Sequence, residues 1–355
     1  MSESEVICEK NGRCGIITLN RPKALNALTL TMVRGMAAAF DAWEHDSGIT
    51  SVLIRGAGDR AFCAGGDIKR LYELGRAGDY AEQLAFWREE YQLDYRISTF
   101  PKPIVALLDG IVMGGGAGVG IHARHRVAGE KFNFAMPEVG IGFFPDIGAS
   151  YFLPRLKGAS GAYLALTGAR IGLGDALAIG LVDRHVPAAR FEALLARLAA
   201  GEAAASAVAA EAAAGPASAL MNEEAFIDKC FAGASLAAII AAIDAAAVAG
   251  SEFAAKTRET MAGKSPTSMA IALKQMQLGA KLELADNLRM DLRIVARIAH
   301  GHDFYEGVRA TLIDRDNKAA WRPATVGELK EADIAAYFVP LGADELVLPE
   351  GAAVK

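Results

Sequence analysis

The chain has 355 residues, 52% of them hydrophobic, and a formal net charge of -5. This length allows one large domain with a smaller appendage, or two domains. No apolar stretch reaches the roughly 18 residues that span a bilayer, and the negative balance argues against a general nucleic-acid surface. The N-terminal residues lack a basic or Arg-rich targeting segment, so a cytoplasmic protein without membrane or nucleic-acid partners is predicted.

The first half of the chain alternates strand and helix patterns. Short apolar runs predict strands, and apolar residues at helical spacing predict helices. The predicted strands are 14–19, 51–55, 103–108 and a strand pair within 126–134, and the predicted helices are 28–43, 67–74 and 114–124. Such alternation is typical of the α/β class.

From about Ala188 the composition becomes rich in alanine, and strand patterns almost disappear. Alanine is the strongest helix former, so this part is predicted to be helical. The clearest later helices are expected at 266–278 and 282–298, and shorter segments follow between 303 and 321. The sequence therefore divides into an α/β region, 1–200, and a helical C-terminal region, 201–355.

The segment from Gly110 to Pro154 contains the residue types that thioester chemistry requires. Gly114, Gly115 and Gly116 have no side chains, so a carbonyl oxygen can approach a backbone N–H at the start of a helix. Such an N–H stabilises an oxyanion. Glu138 and Asp146 follow eight residues apart, next to Pro, Gly and Phe, where a carboxyl group can be desolvated and tuned for proton transfer.

Four ordered segments resemble the crotonase superfamily of acyl-CoA enzymes, the enoyl-CoA hydratases and isomerases. They are LNRPKALNAL (19–28), AFCAGGDIKRLYE (61–73), residues 110–118 and MPEVGIGFFPDIGASYFLPRL (136–156). The resemblance implies a spiral of ββα turns in the first 200 residues, with the helical C-terminal region covering the active site. It also implies that the N–H groups of Gly66 and Gly115 form the oxyanion site, and that Glu90, Gly115, Glu138 and Asp146 contact the substrate.

Within the superfamily, the chain is most similar to the branch that hydrolyses short 3-hydroxyacyl-CoA thioesters. This similarity is carried by FWREEY (86–91), FFPD (143–146), DFYEGVRATLIDRD (303–316) and Trp321. The expected reaction is the hydrolysis of 3-hydroxyisobutyryl-CoA in valine breakdown, with Glu138 as nucleophile or general base and Asp146 as the second catalytic acid. No cofactor or metal is expected, because coenzyme A is part of the substrate.

One departure bears on the alternative of an enoyl-CoA hydratase. Hydratases that resemble this chain carry a second catalytic Glu two residues after the glycines, whereas this chain has Gly118 there. Addition of water across a double bond by both hydratase acids is therefore disfavoured. An alternative of another class is a non-catalytic binding protein with the crotonase fold. The resemblance also allows a homo-oligomer.

Each candidate has a competing structural interpretation. Asp146 could cap a helix that starts near Ile147, and Glu90 lies in a charged run of the kind that usually forms a solvated helix face. Cations near helix starts suit the phosphates of coenzyme A, and Lys23, Ala24 and Lys69, with Arg70, are the candidate CoA-binding residues, but surface solvation explains them as well. His122 and His125, three residues apart on a predicted apolar helix, are interpreted as packing residues rather than metal ligands.

Overall fold

The structure is a computed structural model, and it describes residues 4–348. The strands are β1 (Val6–Asn11), β2 (Cys14–Leu19), β3 (Ser51–Gly56), β4 (Ala61–Cys63), β5 (Ile104–Leu108), β6 (Ile111–Met113), β7 (His125–Ala128), β8 (Asn133–Ala135), β9 (Ile171–Gly172) and β10 (Arg184–His185). They form a six-stranded sheet in the order β1-β2-β3-β5-β7-β10 and a four-stranded sheet in the order β4-β6-β8-β9.

Sixteen α-helices connect and follow these strands within the described residues. They are α1 (Leu30–Glu44), α2 (Ile68–Ala77), α3 (Tyr80–Thr99), α4 (Gly115–Ile121), α5 (Ala149–Phe152), α6 (Ser160–Thr167), α7 (Leu173–Ile179), α8 (Phe191–Ala199), α9 (Ala204–Glu211), α10 (Glu224–Phe231), α11 (Leu236–Val248), α12 (Glu252–Ala262), α13 (Pro266–Gly279), α14 (Leu284–Ile298), α15 (His302–Val308) and α16 (Glu331–Ala336). None of them is long and apolar enough to cross a bilayer.

The larger sheet is covered on both faces, which explains its nearly continuous apolar strands. Along β3, Leu53 belongs to one apolar cluster with the helices α8 and α9, whereas its neighbours Val52 and Ile54 belong to the main core. The same alternation separates Val105 from Ile104 in β5. Only the pairing of β1 with β2 is antiparallel in this sheet.

The smaller sheet positions the residues that the sequence analysis singled out. Strands β4, β6 and β8 are parallel neighbours, so their carboxyl ends meet at one edge of the sheet. Gly65 and Gly66 follow the end of β4, Gly114 follows β6, and Glu138 lies three residues after β8. The sheet therefore brings two glycine loops and one carboxyl group together at a single edge.

The C-terminal helices pack against this arrangement rather than apart from it. The main apolar cluster contains residues from both sides of position 200, among them Phe144, Leu164, Ile271 and Leu292. The N-cap residue of α13, Ser265, also donates its backbone N–H to the carbonyl oxygen of Val139 at 3.1 Å. The domain boundary at 200 stays a prediction.

The α/β class and most predicted elements are confirmed, with three corrections. Helix α4 ends at Ile121, before the predicted end at Arg124, so His122 terminates a helix and His125 begins β7; the two do not share a helix. Helix α3, twenty residues long, is not among the predicted helices. Asp146 does not cap a helix, because α5 begins at Ala149 with Gly148 at its N-cap and without a side-chain capping bond.

Candidate active site

A cavity of about 670 Å³ opens beside the edge where the three strand ends meet. Its lining combines both glycine loops with three carboxyl groups and apolar side chains. The lining includes Gly65, Gly66, Phe86, Trp87, Glu90, Gly114, Gly115, Pro137, Glu138, Phe143 and Asp146. All the residues predicted to contact the substrate or to form the oxyanion site thus lie around one cavity.

The two glycine loops lie against each other at the cavity wall. A Cβ atom added to Gly65 would lie 3.7 Å from the backbone nitrogen of Gly115, and one added to Gly115 would lie 3.3 Å from the backbone nitrogen of Gly66. Neither of these two N–H groups, of Gly66 or of Gly115, has a partner among the hydrogen bonds of residues 4–348. The loops therefore offer two neighbouring donors to a ligand.

Glycine is required in these loops because other groups approach them closely. A Cβ atom at Gly115 would lie 2.1 Å from Oε1 of Glu90, and one at Gly116 would lie 2.2 Å from the carbonyl oxygen of Cys63. Gly65 and Gly114 have φ angles of +109° and +49°, a region that side chains disfavour. The short helix α4 can pack against β4 only because it begins with residues that lack side chains.

Glu138 begins a short 3₁₀ turn, 138–141, directly after the β8 edge. Its side chain is buried, and Oε1 lies 3.0 Å from the position that a Cβ atom of Gly114 would take. Oε2 has no hydrogen-bond partner within the described residues. Burial raises the pKa of Glu138 well above its usual range, and the charge of Asp146 raises it further. A buried carboxyl group with a free oxygen beside backbone donors suits nucleophilic or general-base chemistry.

Asp146 is buried on the wall of the same cavity and is held by a tyrosine on α3. The hydroxyl of Tyr91 donates to Oδ2 of Asp146 at 2.8 Å. Burial raises the pKa of Asp146 to about 7, and the hydrogen bond from Tyr91 partly opposes this shift because it favours the charged form. A carboxyl group that titrates near neutral pH is suited to proton transfer.

Glu90 lies on the buried face of α3, so its interpretation as a solvated residue is wrong. Trp87, Tyr91 and Asp94 share this face at helical spacing, whereas Glu89 points outward and pairs with Arg34. Oε1 of Glu90 has no hydrogen-bond partner within residues 4–348. Burial raises the pKa of Glu90 well above its usual range, and the charges of Asp146 and Asp94 add to that rise.

Two further acids lie behind the cavity wall and escaped the sequence analysis. Asp94 and Asp291 are fully buried, and burial raises the pKa of each well above its usual range. Asp94 occupies the space beside Gly118, where an added Cβ atom would lie 2.7 Å from Oδ1 of Asp94. The spacing of Asp94, four residues after Glu90, is the signal that could have placed it on the same helix face.

The buried acids form one electrostatic group. The charge of Asp146 raises the pKa of Glu90, Asp94, Glu138 and Asp291. Because each ionisation opposes the next, a proton taken up at one carboxyl favours ionisation of its neighbours. No set of three metal-ligating side chains was found in the described part of the chain.

The candidate CoA-binding residues do not line the cavity. Lys23, Ala24 and Lys69 are exposed and lie outside its walls. The cations that line it come from later in the chain: Arg170, Lys264 and Lys318. Lys264 is partly buried, and Nζ lies 3.2 Å from the position of an added Cβ atom at Gly140, two residues after Glu138. Burial lowers the pKa of Lys264.

Comparison with known proteins gives consistent family matches. The family model described as enoyl-CoA hydratase/isomerase matches residues 14–338. A protein named 3-hydroxyisobutyryl-CoA hydrolase, mitochondrial, from Danio rerio is 42% identical over 97% of this chain and 92% of its own length. The protein of the same name from Homo sapiens is 40% identical over 96% of this chain and 90% of its own length.

Two solved structures superimpose on nearly the whole chain. One is titled a carnitinyl-CoA dehydratase from Mycobacterium thermoresistibile; its TM-score is 0.92 at 42% identity, over 99% of this chain and all of the other. The second is titled an enoyl-CoA hydratase from Rhodobacter sphaeroides 2.4.1; its TM-score is 0.91 at 41% identity, over 97% of this chain and all of the other.

Proposed function

The chain belongs to the enoyl-CoA hydratase/isomerase family, and on that premise we propose that it hydrolyses 3-hydroxyisobutyryl-CoA to the free hydroxy acid and coenzyme A in valine breakdown. The predicted crotonase fold is confirmed by the superposition on two family structures. Relatives named as 3-hydroxyisobutyryl-CoA hydrolases, alike over almost the whole chain, support the reaction. The observation that carries it is the meeting of two unpartnered glycine N–H groups and a buried glutamate at one cavity.

In the proposed mechanism the thioester carbonyl oxygen lies between the N–H groups of Gly66 and Gly115. Negative charge that arrives on this oxygen then meets donors that are already oriented. Glu138 either attacks the carbonyl carbon to form an anhydride or takes a proton from an attacking water. Both routes break the carbon–sulfur bond and release the thiolate of coenzyme A.

The other two acids handle the remaining proton and the hydroxyl of the acyl group. Asp146 and Glu90 line the same cavity as Glu138. In its protonated form one of them supplies the proton that the leaving thiolate takes up. In its charged form the other accepts a hydrogen bond from the 3-hydroxyl group of the substrate, which selects hydroxylated acyl chains over plain ones.

The phosphates of coenzyme A are proposed to lie against the cations that line the cavity. Lys264, Lys318 and Arg170 line the cavity, whereas Lys23, Ala24 and Lys69 lie outside it. Lys264 has no salt bridge with any residue of the described chain. An unpaired, partly buried ammonium group is well suited to an anionic ligand.

Hydration of a double bond is the competing activity, since one of the two solved structures is named an enoyl-CoA hydratase. The space in which a hydratase acid at 118 would stand is taken by Asp94, since a Cβ atom at Gly118 would already lie 2.7 Å from its carboxylate. Asp94 itself is not among the residues that line the cavity. Consumption of crotonyl-CoA without release of thiol would favour the hydratase.

The test is release of coenzyme A from a panel of acyl-CoAs by purified protein, followed with a thiol reagent. We expect the wild-type protein to cleave 3-hydroxyisobutyryl-CoA, and Glu138→Gln to lower kcat by ~100- to 10,000-fold. Glu89→Gln, a carboxyl on the outer face of α3, is the matched control and should retain full activity. Unchanged release in Glu138→Gln would contradict the mechanism, and no release from any member of the panel would favour a non-catalytic binding protein.

Single turnover in ¹⁸O-water tests whether Glu138 is the nucleophile, because an unlabelled product arises only through an anhydride that water opens at the protein carboxyl. If water attacks the thioester directly, the label appears in the product of the first turnover. If Glu138 forms an anhydride that water opens at the protein carboxyl, the label enters the glutamate first and the product remains unlabelled.

The proposals for the compartment and the oligomeric state rest on the sequence alone. We propose the cytoplasm as the location, although the named vertebrate relatives are described as mitochondrial. A homo-oligomer is the proposed assembly, and sedimentation of the purified protein would test it.

A further inference from the structure

The turn that carries Asp146 has an unfavourable backbone conformation. Ile147, which is β-branched and fully buried, has a φ angle of +55°, and Gly148 follows at +73°. A β-branched residue is rarely found in this left-handed region, because its Cβ approaches the neighbouring carbonyl oxygen. Such a conformation persists only where the surroundings enforce it.

Side chains from three different elements bind the peptide groups around Asp146. Nε2 of Gln275, on α13, donates to the carbonyl oxygen of Pro145 at 2.5 Å. Nε2 of His122, after α4, lies 2.7 Å from the carbonyl oxygen of Ile147, and Oδ2 of Asp291, on α14, accepts the N–H of Gly148 at 2.7 Å. The Pro145–Asp146 and Ile147–Gly148 peptide groups, on either side of Asp146, are therefore held independently of its own carboxyl group.

The histidine contact has a defined polarity. A carbonyl oxygen only accepts hydrogen bonds, so Nε2 of His122 carries the proton that it shares with Ile147. Burial lowers the pKa of His122 to about 4, so the ring is neutral at physiological pH and keeps this single N–H. No other hydrogen bond of the His122 ring is present in residues 4–348.

We propose that His122, Gln275 and Asp291 are positioning residues, which hold the turn 145–148 in its strained conformation and thereby fix the Asp146 carboxyl at the cavity wall. None of the three lines the cavity, so they act through Asp146 rather than on the substrate. Two of them lie on C-terminal helices. In this way the helical region contributes to the active site by orienting a residue that belongs to the α/β core.

The kinetic consequence rests on the proposed thioesterase reaction. If the carboxyl group of Asp146 handles a proton or orients the 3-hydroxyl, its displacement lowers kcat more than it weakens binding. A displacement of about 1 Å can cost about 100-fold in rate. If the role of His122 is purely structural, its substitution instead lowers the melting temperature and leaves kcat equal to that of the wild type.

The first experiment compares His122→Leu, which removes the donor, with His122→Gln, whose amide can donate from a similar position. We expect His122→Leu to lower kcat by ~10- to 100-fold with KM changed by less than about threefold, and His122→Gln to restore most of the loss. Gln275→Met, which removes the second donor at similar volume, should act in the same direction and serves if His122→Leu fails to fold.

His185 supplies the matched control. Its Nδ1 lies 2.9 Å from the carbonyl oxygen of Ala214, so it is also a mostly buried histidine bonded to a main-chain carbonyl, and it does not line the cavity. His185→Leu should lower the melting temperature and keep kcat within about twofold of the wild type. An equal loss of kcat in both leucine variants, or none in His122→Leu, would overturn the proposal.

Crystal structures of the wild type and His122→Leu give a readout that does not depend on activity. We expect Ile147 to leave the positive-φ region in the variant and the Asp146 carboxyl to shift by about 1 Å or more. If the turn is unchanged, the positioning role is wrong even where activity falls. If the wild type releases no coenzyme A, the proposed reaction fails, and the crystal structures alone decide for or against the positioning role.

Discussion

The glycine side of the cavity, formed by the loops of Gly66 and Gly115, and its acid side, formed by the turn of Asp146, differ in the sequence separation of the residues that build them. Gly66 lies three residues after the end of β4, and Gly115 lies two residues after the end of the neighbouring parallel strand β6, so adjacent strands bring their N–H groups together. Asp146, by contrast, depends on Tyr91 and on contacts that C-terminal helices make with its turn. One side is built by local motifs on adjacent strands, and the other by distant tertiary contacts.

This difference predicts different consequences of substitution. The glycine side has little freedom, since backbone and carboxyl atoms already approach it within contact distance. The acid side contains side chains whose charge and orientation are adjusted by several neighbours. Substitutions on the glycine side should therefore nearly abolish activity. Substitutions on the acid side should change how activity depends on pH and should also change the stability of the folded protein.

Among the substitutions that compare the two sides, Gly115→Ala is expected to have the largest effect. The new methyl group would lie 2.1 Å from Oε1 of Glu90 and 3.3 Å from the nitrogen of Gly66, so the donors or the glutamate must move. We expect kcat/KM for 3-hydroxyisobutyryl-CoA to fall ~100- to 1000-fold, as for loss of an oxyanion donor. Gly327→Ala, where an added Cβ meets nothing within 4 Å, is the control and should be fully active. Activity above a tenth of the wild type in Gly115→Ala would show that this side tolerates more than its contacts indicate.

The pH dependence of the free energy of unfolding tests whether burial of Asp146 destabilises the folded protein. Because the pKa of Asp146 is about 7 in the folded protein and roughly 4 in an unfolded chain, the folded state binds more protons between these values. The free energy of unfolding must then decrease as pH rises from about 4 to about 7. Asp146→Asn removes this loss, so the variant should be more stable than the wild type at pH 8 by about 1 to 3 kcal/mol, and equally stable near pH 4.

Denaturant unfolding at both pH values measures this difference. Glu73→Gln replaces an exposed acid and should leave the pH dependence of unfolding as in the wild type. The stabilised Asp146→Asn variant should also be a poor catalyst, because the group that destabilises the fold is the one that handles protons. If Asp146→Asn were less stable than the wild type at pH 8, the carboxylate would be stabilised by its surroundings, and the account of the acid side would be wrong.

Tyr91→Phe probes the tuning of the same carboxyl group. The tyrosine hydroxyl donates to Oδ2 of Asp146 and lowers its pKa against the effect of burial. Without this donor the charged form is less favoured, so the pKa of Asp146 rises. If the charged form of Asp146 is the active one, the acidic limb of the kcat profile moves to higher pH, with a loss of roughly tenfold in kcat at pH 6 and a smaller loss at pH 8. A parallel loss at all pH values would instead indicate that Tyr91 only orients the carboxyl group.

The contrast between the two sides also explains what the sequence could reveal. The triple glycine and Glu138 are predicted because each lies in a compact motif next to an apolar strand pattern, whereas the donor role of Gly66 is implied by the family resemblance. Glu90 was identified only through resemblance, since a charged run gives no sign of which residue faces inward. Trp87, Glu90 and Tyr91 have the spacing of one helix face, and the two aromatic residues indicate that this face of α3 is buried.

Other contributors had no local signal at all. Gln275 and Asp291 meet the turn of Asp146 only because the C-terminal helices pack against it, over separations of 130 and 143 residues that no sequence spacing links. His122 comes from the end of α4 and contacts Ile147 from 25 residues away. The conformation of Ile147 was equally hidden, because an isoleucine does not predict a positive φ angle.

The smallest effect extends the comparison to the cations, where a local prediction and a tertiary arrangement disagree. Lys69 was proposed from its place near a helix start, and it is exposed outside the cavity; Lys264 comes from the C-terminal region and lines the cavity. Loss of one charge-assisted contact with a phosphate should raise KM roughly tenfold, equivalent to about 1.4 kcal/mol. We therefore expect Lys264→Ala to raise KM for the acyl-CoA about tenfold with kcat nearly unchanged, and Lys69→Ala to change KM by less than twofold.

The increase in KM of Lys264→Ala should shrink when the substrate is a truncated pantetheine thioester, which lacks the nucleotide phosphates. If Lys69→Ala had the larger effect, coenzyme A would lie along the outer surface of α2, and the local motif would have located it correctly.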